Sequence, residues 1–186
     1  MGEQVLGHLP ELVRRNEREV IIVSDKADQY RRWFDFEKDS HAKVLRSLES
    51  VPEANRTSPA YSKAVDVLSH IAVARQLWLF RLGGVREAPA KLFLDGSTLA
   101  EAVETLRATE AGWNSYLAAL ADAELDRVFE YTSWVGGRYR NRVEDILTTL
   151  FGHSLYHRGQ IAMLVKTAGG VPAETDFVFW CREPLQ

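Results

Sequence analysis

The chain of 186 residues predicts an all-α fold: an up-down four-helix bundle with one small β-hairpin before its last helix. Three observations carry that prediction. Four segments of about 22–27 residues set apolar side chains at alternating three- and four-residue steps, the pattern of an amphipathic helix. Proline or paired glycine interrupts the pattern at Pro52, Gly83-Gly84, Gly136-Gly137 and Gly169-Gly170. Aromatic and β-branched residues crowd both sides of Gly136-Gly137, which reads as a hairpin.

Taken in order, residues 1–24 form a mixed-charge lead-in to a domain covering 25–186. Its apolar run at 20–23 fits an edge strand or an extra helical turn equally well. The first helix carries Tyr30, Phe34, Val44, Leu48 and Val51 on one stripe, with Glu37 and His41 in the intervening positions. Pro52 closes it, because proline disfavours helix in the residue before it. The second helix opens with Ser58 as N-cap and Pro59 at the first helical position. It runs through Val65, Leu68, Ile71, Ala72, Leu77, Trp78 and Leu82 and stops at the glycine pair.

The third helix starts at Ser97, or at Thr98 with Glu101 completing a capping box. Leu99, Val103, Leu106, Trp113, Tyr116, Leu117 and Leu120 form its expected buried side. The hairpin pairs residues 128–132 with 138–140, and the fourth helix covers about 142–168. The tail from Thr175 to Trp180 is aromatic enough to be expected against the bundle.

Composition narrows the functional classes. Hydrophobic residues at 46% and charged residues at 26% argue against extensive disorder. A net charge of -3 gives no general reason to expect nucleic acid or an anionic membrane as partner. The single Cys181 excludes an internal disulfide framework and any multi-cysteine zinc site. The first twenty residues have no secretory pattern, and the most apolar run, 71–80, is broken by Arg75 and Gln76. A cytoplasmic protein that binds neither membrane nor nucleic acid is the expectation.

Five histidines carry the remaining information. The inward stripe of the fourth helix reads Val143, Ile146, Leu150, His153, His157, Gln160/Ile161, Leu164 and Ala168. At about 100° per residue, His153 and His157 stand one turn apart on one face. Two stacked imidazoles in an apolar seam lose solvation together, and both cannot be protonated without repulsion. A divalent cation removes that difficulty, since neutral imidazole is a good ligand. Against this stands a bland reading, two hydrogen-bonded core histidines, which the bare spacing fits as well. Ser154 rather than glutamate follows His153, so a zinc-protease helix is excluded. No glutamate stands three residues before His41, His70, His153 or His157, which removes the di-iron carboxylate bundle. A third ligand must come from another helix. His70 and His41 compete for that place, His41 with Glu37 one turn before it; His8 has no supporting pattern.

The run His153-Ser154-Leu155-Tyr156-His157-Arg158-Gly159-Gln160-Ile161, with Gly169-Gly170-Val171-Pro172 and Thr175-Asp176-Phe177 after it, resembles the DinB/YfiT-like metalloenzymes. The resemblance covers about residues 26–180. It implies a bundle whose H-x-x-x-H-R-G-Q helix supplies two histidine ligands and whose second helix supplies the third, in a context like His70-Ile71 with Trp78 beyond. The implied metal site is therefore His70, His153 and His157, holding one divalent transition metal such as Zn, Ni or Fe. Many relatives carry a glutamate around the position of Arg75, where this chain has Arg75-Gln76.

The resemblance further implies a metal-dependent S-transferase that activates a low-molecular-weight thiol, mycothiol or bacillithiol, against an electrophilic second substrate, and a homodimer. Trp78, Trp113 or Tyr156 would line the electrophile pocket, each with ordinary core packing as the alternative. Arg158 would meet a substrate carboxylate, with a surface cation as its alternative. A non-catalytic metal-binding or stress-associated bundle acting through dimerisation is the second functional reading.

Overall fold

The computed structural model describes residues 25–185; the lead-in, with the apolar run at 20–23 and His8, lies outside the described residues. The long helices are α1 (Lys26–Glu49), α2 (Pro59–Arg81), α3 (Leu99–Ala118) and α5 (Val143–Thr167). One-turn helix α4 (Asp122–Leu125) and strands β1 (Val128–Thr132) and β2 (Arg138–Arg142) lie between α3 and α5. Short α6 (Phe177–Cys181) follows in the tail, and a 3-10 turn at Glu53–Asn55 joins α1 to α2. The four-helix bundle with a hairpin before its last long helix is the observed fold.

Local chemistry sets several of these boundaries. Ser58 accepts the Tyr61 N–H with Pro59 at the first position of α2. Thr98, not Ser97, caps α3, and both halves of its capping box with Glu101 are made. Other ends are capped in three dimensions. The N–H groups of Lys26 and Ala27 donate to the Asp122 carboxylate, at 3.1 and 2.8 Å, so α4 caps α1. Arg31 donates to the Leu117 and Leu120 carbonyls at the end of α3. In the hairpin Val128 pairs with Arg142 and Thr132 with Arg138. Gly136 and Gly137 take φ of +92° and +84° at its turn, a region that side chains disfavour.

α2 is the central helix, packed along α3 and α5, while α1 lies mainly against α5 and touches α2 little. The helix directions follow from the pairs in contact. α1 runs against α3, since Lys38 bonds Asn114 and His41 bonds Glu110. It runs with α5, since Tyr30 bonds Thr148 and Glu37 bonds Ser154. The up-down step expected of consecutive helices holds from α1 to α2. After α2, residues 82–98 carry the chain back along the bundle, where Gly96 and Ser97 donate to Asp66. α3 therefore runs alongside α2 in the same sense.

The core falls into two apolar clusters. One gathers Val44, Leu48, Leu68, Ile71, Leu106, Ile161 and Val165. The other gathers Tyr30, Phe34, Leu79, Trp113, Leu117, Leu147 and Leu150. On every long helix a polar residue separates the two: Glu37 and His41 on α1, Arg75 on α2, Thr109 on α3, Ser154 and Arg158 on α5, all buried. The expected aromatic tail does fold back. Phe177 meets Phe36 edge-on at 5.1 Å, and Trp180 stands 5.7 Å from the same ring.

Candidate metal centre

α2 and α5 bring three histidines together beside the polar layer. One ring nitrogen from each of His70, His153 and His157 lies within 4.8 Å of the other two, and all three residues are half-buried. The ring centroids are 4.3 Å apart for His153 and His157, 4.8 Å for His70 and His157, and 5.2 Å for His70 and His153. The one-turn step on α5 supplies the first pair, and the α2–α5 contact supplies the third ring.

The hydrogen bonds fix which nitrogen faces inward. Nδ1 of His70 lies 3.1 Å from the Leu92 carbonyl, which only accepts, so Nδ1 carries the proton and Nε2 is left with a lone pair. Nδ1 of His157 lies 2.7 Å from Gln160 Oε1, the same arrangement on the side of α5. Nε2 of His157 and Nε2 of His153 face each other at 3.1 Å. Two nitrogens bound to one ion at about 2.1 Å stand about 3.0 Å apart at right angles and about 3.4 Å apart in a tetrahedron. The observed spacing falls between these limits. His153 differs in one respect: its Nδ1 is buried without a hydrogen-bond partner.

Burial disfavours the protonated form of both α5 donors. His153 is pulled down to about 4, first by burial and then by His157, His70 and Arg75, with Glu37 opposing. Burial also lowers His157, against the opposing bond from Gln160, and the neighbouring His70 adds to the lowering. Three imidazoles, with outer nitrogens tied to oxygen acceptors in two cases, form a donor set that fits a divalent transition metal.

The sequence model of the DinB family matches residues 23–183. The chain belongs to the DinB family. No curated protein and no solved structure gives a match.

Arg75, where the resemblance led to the expectation of a glutamate, has a defined place in this DinB chain. Arg75, 5% exposed, forks onto both oxygens of Glu37, which is 1% exposed. Ser154 donates to the same carboxylate at 2.5 Å. His41 sits beside Glu37 at 3.5 Å and bonds Glu110 at 2.8 Å through Nδ1. His41 is thus a member of the buried polar layer and not of the three-histidine group.

Other expectations need correction. The buried stripe of α5 passes through Ser154, Arg158 and Val165, with His153 and His157 beside it on the α2 side. A helix wedged between α1 and α2 has a wide buried face, and periodicity alone does not say which edge meets which neighbour. Arg158 is 2% exposed, lies over the Phe36 ring at 5.0 Å, and reaches Thr175 at 3.4 Å. Burial lowers its pKa to about 10, with Glu37 opposing, so it belongs to the polar layer rather than to an open pocket for a substrate carboxylate. Trp113 is fully buried and donates to the Arg75 carbonyl, a core role. Trp78 packs edge-on against Tyr131 of β1 at 5.0 Å and anchors the hairpin. Tyr156 alone of the three stays exposed, with its ring 5.1 Å from His157. Cys181 is half-buried in α6.

Three partners of the site were missed from sequence. Gln160 had a signal, since it stands three residues after His157 on the helix. The Leu92 carbonyl had none, because a backbone acceptor leaves no trace in residue type. Phe93 stacks on His70 at 4.6 Å and 4°, from a loop with no periodicity to read.

Proposed function

We propose that this protein is a mononuclear metal enzyme, a transferase that activates a low-molecular-weight thiol for attack on an electrophile. The observation that carries the reading is the meeting of His70, His153 and His157 in a half-buried position, with the inner nitrogens of His153 and His157 at 3.1 Å. Three histidine donors leave further coordination positions open, the pattern of catalytic rather than structural metal sites. A divalent ion held there supplies positive charge that favours the thiolate form of an incoming thiol at neutral pH.

The chain's own residues hold and orient. Leu92 fixes the tautomer of His70 through its carbonyl, and Gln160 does the same for His157. Burial keeps His153 and His157 unprotonated, so their lone pairs remain available. With Cys181 as the sole cysteine and away from this group, a sulfur nucleophile has to arrive with a substrate.

A cytoplasmic compartment and a homodimer are parts of the same proposal. A cysteine count of one, which leaves no internal disulfide framework to form, supports the first. Apolar side chains left exposed on α5, Leu155 and Met163, support the second. Among the described residues no helix is long and apolar enough to cross a membrane.

The test loads untagged protein with Zn²⁺ or Ni²⁺ and measures bound metal. It then follows loss of free thiol when mycothiol, bacillithiol or glutathione meets monochlorobimane. One ion per chain and a metal-dependent rate abolished by His157→Ala are expected. Metal uptake without any such rate would leave the non-catalytic, dimer-forming bundle as the better reading. No uptake at all would refute the metal centre.

A further inference from the structure

Two of the three histidines each carry an exposed aromatic ring. Phe93, 63% exposed, lies flat on His70 with centroids 4.6 Å apart and planes 4° from parallel. Tyr156, 65% exposed, stands edge-on to His157 at 5.1 Å. Large rings left in water cost free energy, and scattered single cases need no explanation. These two are not scattered. They come from different elements, the 82–98 loop and α5, and pack on two different members of the same half-buried group.

The attachment of Phe93 is built in. The residue before it, Leu92, accepts the Nδ1 proton of His70, so one short stretch of loop both turns the imidazole inward and lays a ring along it. Because the two rings are nearly parallel, the plane in which His70 presents Nε2 runs alongside the Phe93 face. A molecule occupying an open position next to His70 and His157 therefore has, on each of those two imidazoles, an aromatic ring as a neighbouring wall. Neither wall carries a charge.

We infer that Phe93 and Tyr156 are specificity-determining residues that select a metal-directed ligand with an apolar, planar group, an aryl group above all, next to its donor atom. The inference rests on the metal reading above and names the class of molecule that site prefers. Offset or edge-on stacking against two rings, with loss of water from both, favours an aryl over a short alkyl group.

The experiment uses the full-length protein loaded with Co²⁺, titrated with benzyl mercaptan and with ethanethiol and read by thiolate-to-cobalt absorption. Both probes offer the same donor atom and differ in the attached group. Benzyl mercaptan should bind about tenfold tighter or better. Phe93→Ala and Tyr156→Ala should each shrink that ratio at least threefold, and the double variant should bring it close to one. Tyr156→Ala is a surface change at the centre and keeps the test open if Phe93→Ala disturbs the loop. Cobalt uptake with equal affinity for the two thiols in the unaltered protein overturns the inference and leaves the metal reading standing. So does a ratio that survives in the double variant. Failure to take up cobalt removes both.

Discussion

Removing either member of the buried Glu37–Arg75 pair should cost stability unequally, and the inequality can be worked from the charges. Glu37 is 1% exposed and Arg75 5%, and Arg158, 2% exposed, also acts on Glu37. The group is one carboxylate with two guanidinium cations. Arg75→Met leaves one of each, and methionine keeps apolar bulk against Phe34 and Trp113, over which Arg75 now lies. Glu37→Gln leaves two cations in the core with no anion between them. Breaking a buried pair costs about 3–5 kcal/mol. Glu37→Gln should fall near the upper end and Arg75→Met near the lower. For a chain of this size that is about 10–20 °C and about 6–12 °C of melting temperature respectively. The double variant should lose less than the two single losses added, because each change removes the other's liability. Thermal or urea unfolding followed by circular dichroism reads all three. If Arg75→Met costs as much as Glu37→Gln, or both cost under about 1 kcal/mol, an excess of buried cations is not what the Glu37 carboxylate balances.

Gln160→Leu should weaken Zn²⁺ or Ni²⁺ binding about 10–100-fold with little effect on the melting temperature of metal-free protein, by competition against a chromophoric chelator. Stability of the metal-free protein should fall as pH falls from about 6.5 to about 4. His153 is held to about 4 in the fold against an ordinary 6.5, so the unfolded chain binds more protons across that window; melting temperatures at fixed ionic strength check the sign, and a flat profile would refute it. Gly170→Ala should destabilise by about 1–3 kcal/mol, since a Cβ there would stand 2.7 Å from Val51 Cγ2 and 2.8 Å from Val165 Cγ1; urea unfolding measures it.

Periodicity and caps were enough for the four long helices and the hairpin, though not for the short helices α4 and α6. The helix starts at Ser58 and Thr98 are local chemistry, because a side-chain oxygen three residues from an N–H needs nothing distant. The pairing of His153 with His157 was equally legible, being one turn of one helix. The choice of His70 over His41 was not. Both sit on apolar helix faces, and only the resemblance favoured His70 before the fold placed it beside α5 and put His41 against Glu110. The misreading of Arg158 has a similar source. Arginine in a motif reads as a surface cation, whereas in the folded chain Glu37 and Phe36, far away in sequence, make its burial tolerable.

By itself the sequence determined the four long helices, the stops at Pro52 and the glycine pairs, and that two imidazoles share one turn, since these depend on contacts within a few residues. The tertiary structure alone decided the direction of α3, the polar layer across the core, the caps that α4 and Arg31 lend to other helices, and the Leu92 and Phe93 contacts that orient His70. Each of these joins groups 22 or more residues apart, where no short-range rule links residue type to partner.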